Sequence, residues 1–239
     1  MNRASSAFLM LGLVLGGVAA GAQSDGVARL TLTLTQEQGL TAFSTLITNT
    51  FGTDSGQQVQ CRYWRRRAAD GSVQVLVAFL PSSQRDNQDP AAAIKLFSFT
   101  GGRCTFTFRG RSIAVDPALV PTYGISDFII PPALGQLIAV SAATFQGLPC
   151  THLTQTIPAD PATQVGAIVM DYDIDEFSGL IVHVVRHDGA AQSYSVVRSA
   201  LKSEPDAASA AVFALPQTLR PGLISDPAAL HDAFVHGIP

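Results

Sequence analysis

Charge is scarce in this chain of 239 residues: Asp, Glu, Lys and Arg make up 14% of it, and the formal net charge is −3. A chain this mildly acidic lacks the basic surface that binds nucleic acid. Long apolar runs are missing too. The uncharged stretch Ala7 to Ala20 has 14 residues, short of the ~18 to 20 that span a bilayer, so no integral membrane protein is expected. Cysteine is confined to Cys61, Cys104 and Cys150, none with Cys-x-x-Cys spacing, which removes the usual zinc frameworks. There is no Gly-x-Ser-x-Gly nucleophile elbow and no glycine-rich phosphate loop. Gly52-Thr-Asp-Ser55-Gly56 is loop-like and lacks the strand-to-helix setting of an elbow. No catalytic residue, metal ligand or cofactor follows from any motif, and the reading is of a protein that is not an enzyme.

What is present begins at the N-terminus. Arg3 precedes the apolar run, and Ala20-Gly21-Ala22 supplies small residues where a signal peptidase reads. Residues 1–22 are therefore expected to be a signal peptide, cleaved near Ala22, with a cut after Ala20 as the alternative. No cysteine follows that run, so no lipid anchor is expected. The mature chain is read as periplasmic or secreted. In an oxidising compartment two of the three cysteines can pair and one is left over.

Along the chain, Ala28-Arg-Leu-Thr-Leu-Thr-Leu-Thr35 alternates strictly and predicts a half-buried strand. Leu40, Phe43, Leu46, Ile47 and Phe51 then fall on one helical face, with Thr35 and Gln38 as a capping box, and predict an amphipathic helix over 36–50. From residue 57 the period returns to two. Asp70-Gly71 and Gly101-Gly102 each separate two strand-like runs and predict two-residue hairpins. The proline-rich stretch 114–140 reads as a crossing with short helical turns. Residues 148–158 read as a strand, and the three runs between Gly166 and Leu201 as a meander. Ser225 to Gly237 reads as a short helix with Asp226 as N-cap, Pro227 in first position and Gly237 as stop. The sum is an α+β chain: an antiparallel sheet of many strands with a few helices on one face.

Four clusters invite a chemical reading. Cys61-Arg-Tyr-Trp-Arg-Arg-Arg67 is basic, but on a strand Arg65 and Arg67 point one way while Arg62, Trp64 and Arg66 point the other, which divides the patch. Asp171, Asp173 and Asp175 alternate as in a calcium loop, yet the required glycine and the closing glutamate are Glu176 and Val182. His183 and His187 stand ~13 Å apart along a strand, too far for one ion. Cys150 and His152 share a face ~6.6 Å apart, which suits a buried thiol beside a hydrogen-bonded imidazole.

A separate, aromatic cluster is Phe97-Ser-Phe-Thr-Gly-Gly-Arg-Cys-Thr-Phe-Thr-Phe108. Under a Gly-Gly turn Phe99 faces Cys104, Phe97 faces Phe106 and Lys95 faces Phe108, all on one side. Val75, Val77 and Phe79 extend that aromatic wall, and under a two-residue Asp70-Gly71 turn Trp64 lies on it opposite Val77. One helix covers only ~20 Å by ~10 Å. The rest of the wall is either a filled core or the lining of an apolar cavity.

The order of these pieces resembles the LolA-like superfamily of periplasmic lipoprotein carriers and lipoprotein-sorting proteins, with RseB-like relatives. The resemblance rests on the early helix, on the hairpins 62–81 and 95–115, and on the crossing 116–140. It continues through Leu148-Pro-Cys-Thr-His-Leu-Thr-Gln-Thr-Ile-Pro158, the strand pair 170–189 and the closing stretch 200–216. It departs from the family in an added strand before the helix, in Ile181 where proline is usual, and in the tail. It implies a large curved antiparallel β-sheet, a half-barrel, with helices on its concave face, over residues 23–216, followed by a tail, 217–239, with a short helix. It further implies an apolar cavity for the acyl chains of lipids or lipoproteins, lined by Trp64, Val75, Val77, Phe79, Phe97, Phe99, Phe106 and Phe108, with no cofactor. Two alternatives stand beside that carrier reading. One is an envelope regulatory module of the same fold with a filled core and a protein partner. The other is a secreted hydrolase with scattered residues, which predicts His152 or His183 near a serine or aspartate.

Overall fold

The computed structural model describes residues 25–52, 57–79, 95–121, 124–133, 136, 138–159, 166–189, 191–202 and 218–238. The expected signal peptide lies outside the described residues. Helix α1 covers residues 25–39. Six strands follow: β1 (Ala42–Phe51), β2 (Gln57–Arg67), β3 (Val73–Phe79), β4 (Lys95–Thr100), β5 (Arg103–Phe108) and β6 (Arg111–Val115). Two short 3-10 turns, Pro117–Leu119 and Ile125–Phe128, lie in the proline-rich crossing. Then come β7 (Ile138–Phe145), β8 (Leu148–Ile157), β9 (Ile168–Asp175), β10 (Ile181–Asp188), β11 (Ala191–Lys202), β12 (Thr218–Ile224) and helix α2 (Pro227–His236).

The strands are hydrogen-bonded in the order β12-β6-β5-β4-β3-β2-β1-β11-β10-β9-β8-β7. The class is α+β and the sheet is large and antiparallel, as the sequence predicts. Only β12 runs parallel to its neighbour β6 among the pairs described here. That strand carries Pro221 and breaks register between Arg220 and Leu223, a tolerable fault at a sheet edge.

The chain divides into two compact units. The first comprises the residues up to Gln38 and Ile129–Ser195, and so holds α1, β7 to β10 and the start of β11. Its core is Leu30, Ile138, Leu153, Met170, Tyr172 and Ile174, all fully buried. Tyr172 donates to Gln155 Oε1 at 2.6 Å, and Gln155 donates onward to Gln136 Oε1 at 2.9 Å. That chain supplies partners to polar groups that burial would otherwise penalise. The second unit comprises Gly39–Phe128 and Val196–Pro239, hence β1 to β6, the end of β11, β12 and α2.

The first two elements are exchanged relative to the expectation. Residues 28–35 are helix, not strand, and 42–51 are strand, not helix. The Leu-Thr alternation also fits a helix, because Gly26, Leu30, Thr33 and Glu37 are spaced by three and four and form its buried stripe, while Leu32 is 61% exposed. Thr35 donates to the Thr31 carbonyl at 2.9 Å inside α1 and caps nothing. Gly26 lets α1 lie against β7: a Cβ there would stand 2.5 Å from the Ile138 carbonyl oxygen. In β1 the buried residues Phe43, Thr45, Ile47 and Asn49 alternate, and Phe51 is 45% exposed. The β-branched side chains of Thr45, Ile47, Thr48 and Thr50 favour that strand. The exchange also removes the extra strand before the helix that set this chain apart from the family pattern.

The last helix and the Gly-Gly hairpin stand where the sequence puts them, whereas β7 and β12 are strands the sequence reading did not place. Asp226 caps α2 by accepting from Ala229 N, Pro227 opens the helix, and Gly237 leaves it at φ 106°. Phe97 pairs with Phe106 and Phe99 with Cys104 across the Gly101-Gly102 turn.

Candidate functional site

The aromatic wall lies in the second unit. Its rows cross the strands at matched register: Tyr63, Val77, Phe97, Phe106 and Ile113 form one, and Arg65, Val75, Phe99, Cys104 and Val115 the next. Of the eight residues predicted to line a cavity, seven stand here together, and each is buried: Val75, Val77, Phe79, Phe97, Phe99, Phe106 and Phe108. The surface they would offer is occupied. Phe234 of α2 reaches across β3, β4 and β5, with its ring 5.4 Å from Phe79, 6.2 Å from Phe97 and 5.9 Å from Phe106. Lys95 Nζ lies 4.3 Å from the Phe234 ring centroid and 5.4 Å from that of Phe108, so a cation caps the aromatic stack. Arg111 fixes the end of the tail by donating to the Ile238 carbonyl at 3.0 Å. The tail thus supplies both an edge strand, β12, and an apolar insert, Phe234.

Trp64 is the eighth predicted residue, and the structure places it on the opposite face. The turn after β2 spans 68–72, not two residues, because Arg67 pairs with Val73. Ala68 and Ser72 close it with a hydrogen bond of 2.8 Å, and Gly71 takes φ +82°. That length slips the register by one. A slip of one residue moves a side chain to the other face, so Trp64 pairs with Leu76 and Tyr63 takes the place opposite Val77. Trp64 packs instead on Leu76, Ala78 and Leu96. The arginine run divides between faces as expected: Arg65 is buried on the wall side and donates to the Leu40 carbonyl at 3.0 Å, while Arg62 lies over the Trp64 ring.

The three cysteines are free and buried. Cys61 on β2 and Cys104 on β5 have β3 and β4 between them. At about 4.8 Å per strand that is about 14 Å, well beyond the about 6.8 Å that a disulfide bridges. Burial pushes both thiols up to about 12. Cys150 on β8 is also raised, first by burial and then by the nearby Asp173, Asp175 and Glu176.

A second cluster, which no motif announced as a unit, lies in the first unit. On the polar face of β8 to β10, Cys150 pairs with Asp175, His152 with Asp173 and Thr154 with Asp171, while His183 pairs with Asp173 from the other side. Asp173 therefore sits between two imidazoles. His152 Nδ1 lies 2.7 Å from its Oδ1 and His183 Nδ1 2.8 Å from its Oδ2. Burial alone would raise the Asp173 carboxyl; the hydrogen bonds from His183 and His152, and the charge of those rings, outweigh it and hold the carboxyl below the usual carboxylate range. Asp171 takes the next places: Thr154 donates to its Oδ1 at 2.6 Å, and His187 Nε2 lies 3.4 Å from its Oδ2. His183 Nε2 in turn lies 3.2 Å from Ser195 Oγ, and the Phe145 ring stacks on the His183 ring at 4.3 Å and 11°. Asp175 serves the turn after β9 by accepting from Ser178 N and Ser178 Oγ at 2.9 and 2.6 Å. Among the described residues no three His, Cys, Asp or Glu side chains are arranged to hold a metal ion. The signal for this cluster was present in the sequence: polar residues at alternate positions in three successive strands of a meander must meet on one face. His152 and His183 do stand beside an aspartate and, for His183, a serine.

No family model and no curated protein matches the sequence. Solved structures do. A chain of the Pseudomonas aeruginosa MucA/MucB complex is similar at a TM-score of 0.51 and 11% identity, over 77% of this chain and 60% of that one. LprF from Mycobacterium bovis is similar at 0.45 and 14% identity, over 76% of this chain and 94% of that one. A LolA superfamily protein from Nitrosomonas europaea is similar at 0.31 and 9% identity, over 77% and 94%. This chain thus spans about three fifths of the MucA/MucB chain it matches. At such identities the likeness is one of fold alone, and the fold is that of the MucA/MucB chain over 77% of this chain. No described helix is long and apolar enough to cross a membrane.

Proposed function

We propose that this chain is exported, loses residues 1–22, and works in the cell envelope as a binding protein whose working surface is the aromatic wall under α2. The observation that carries the reading is Phe234, an apolar insert standing where an apolar ligand would stand. The insert is lightly held. Of the ten residues of α2 only Ala233 is buried, and Val235 is 46% exposed. An acyl chain offers about 0.8 kcal/mol for each CH₂ it takes out of water. Fourteen such groups would supply on the order of 11 kcal/mol, against the roughly 1.5–3 kcal/mol that one phenylalanine side chain contributes when fully buried. Acyl chains of a lipid or lipoprotein can therefore compete with α2 for the wall, and binding needs no cofactor.

A second reading is favoured by the same packing taken as permanent. A wall closed by its own helix is a filled core, and the fold then serves as a regulatory or interaction module with an envelope protein as partner. Native mass spectrometry of the protein purified gently from its host envelope separates the two. A bound mass that strips off as diacyl or triacyl species, and that returns when excess lipopeptide is added, supports the binding reading. An unliganded mass that lipopeptide leaves unchanged overturns it in favour of the interaction module.

A further inference from the structure

We infer that Ser195, His183 and Asp173 form a nucleophile, base and carboxylate relay, and that the chain accepts an acyl group from a carboxylic ester on Ser195 Oγ. The inference is independent of the aromatic wall. It rests on three hydrogen-bonding groups of the first unit joined through the appropriate nitrogens. An ionised carboxylate only accepts, so His183 carries its hydrogen on Nδ1 towards Asp173 Oδ2, 2.8 Å away. Its Nε2 then has a free lone pair, and the group facing that lone pair is the Ser195 hydroxyl at 3.2 Å. Those are the roles of orienter, base and nucleophile.

The neighbouring residues restrict the assignment to Ser195. Thr154 faces His152 Nε2 at 3.2 Å in the same way, but its single hydrogen is donated to Asp171 Oδ1 at 2.6 Å. It has none left for His152, so Thr154 is not activated. The His183 ring is held by Phe145, stacked on it at 4.3 Å and 11°. Asp173 is 7% exposed and keeps its charge close to the ring. Charge that develops on His183 as it takes the proton is thereby stabilised. Ser195 and His183 are themselves only half-buried, so a reagent can reach them.

The step balances without a further reactant. Ser195 Oγ forms a bond to the ester carbonyl carbon, and its proton passes to His183 Nε2. The carbon–oxygen bond to the leaving group breaks, and that alkoxide takes the proton from His183. Water, deprotonated by the same nitrogen, then releases the acid and restores the hydroxyl. Ser195 lies within β11 and not at a strand-to-helix elbow, so its own backbone turn aims no N–H group at the developing oxyanion. Turnover is accordingly expected to be slow, and covalent labelling is the better readout.

The test uses the full chain and diisopropyl fluorophosphate, followed by peptide mass mapping. The expected result is a single adduct on the peptide containing Ser195, formed faster as pH rises, absent in Ser195→Ala, and slowed about a hundredfold or more in His183→Gln. The label stays on after the protein is unfolded but does not form on unfolded protein. Absence of an adduct at Ser195 in folded wild-type protein overturns the inference. So does equal labelling of wild type and His183→Gln, which would make Ser195 an ordinary surface hydroxyl.

Discussion

The ring of Phe234 lies 5.9 Å from the ring of Phe106, centroid to centroid, with 27° between their planes. Phe106 is fully buried at the centre of the wall, and Phe234 comes from the last helix of the chain. Two residues far apart in sequence thus make one aromatic core, and the closing piece is the one most easily removed. Phe234→Ala should cost about 2 kcal/mol, less than the ~3 to 5 kcal/mol of a fully buried Phe→Ala change, because Phe234 is only half-buried. It should also raise the fluorescence of a hydrophobic dye such as ANS, by uncovering Phe79, Phe97 and Phe106. A urea midpoint and a dye signal both equal to wild type would mean that α2 does not cover the wall in solution.

Trp64 supplies a control on the other face. Since it pairs with Leu76 and packs on Leu76, Ala78 and Leu96, Trp64→Ala should leave lipopeptide or dye binding at the wall unchanged. A truncation at Val77, in the row of Phe97 and Phe106, should change it. Equal effects of both would contradict the register.

Most of the fold was legible because it is local. The hairpins, the meander and the capped last helix each announce themselves by period or by turn chemistry, and together they sufficed for a large antiparallel sheet. Two things were hidden for physical reasons. Leucines at every second position satisfy a strand, yet Leu30 and Leu34 are also one helical turn apart, so 28–35 suits either period, and the tertiary contact of Gly26 with Ile138 decides. The Asp70-Gly71 turn has five residues between paired positions, and parity, which sequence does not display, moved Trp64 to the other face. The aromatic wall was legible residue by residue, but its cover was not, since nothing local links Phe234 to Phe106. The polar cluster was legible only in pieces, because Asp173 gains its meaning from strands on both sides.

Asp173 predicts a pH dependence. Its carboxyl is held below the ordinary range in the folded chain, burial opposing and the hydrogen bonds from His183 and His152 prevailing. A depressed folded value means that the folded state binds the proton less readily than the unfolded chain. The resulting stability is present above the unfolded value, ~3.9, and is lost as pH falls through the folded one. Asp173→Asn should therefore be less stable than wild type near neutrality, with the gap narrowing below about pH 4. Chemical denaturation at several pH values checks this, and a gap that stays constant down to pH 2 would refute it.

The thiols predict a count. Cys61, Cys104 and Cys150 are free and buried, and the first two are pushed up to about 12. Only the thiolate reacts quickly. The folded protein should react negligibly with DTNB at pH 8, and the unfolded protein should release three equivalents without prior reduction. One equivalent on unfolding, with two more after reductant, would reveal a disulfide and rearranged strands.

The exchange of the first helix and strand is tested most directly at Gly26. In α1 this position faces the backbone of β7, and an added Cβ would stand 2.5 Å from the Ile138 carbonyl oxygen and 2.8 Å from its Cγ2. Alanine is the better helix former by roughly 1 kcal/mol when nothing touches it. In a strand, or in an exposed helix, Gly26→Ala would be neutral or stabilising. Against β7 it must push helix and strand apart, which costs typically 1–3 kcal/mol of overpacking. The contact is with backbone, which cannot rotate away, so overpacking should prevail and the denaturation midpoint should fall. Gly39→Ala, which meets nothing within 4 Å, gives the reference with the same change in chain entropy. If Gly26→Ala is as stable as Gly39→Ala, α1 does not lie on β7, and the helical assignment of residues 28–35 loses its tertiary support.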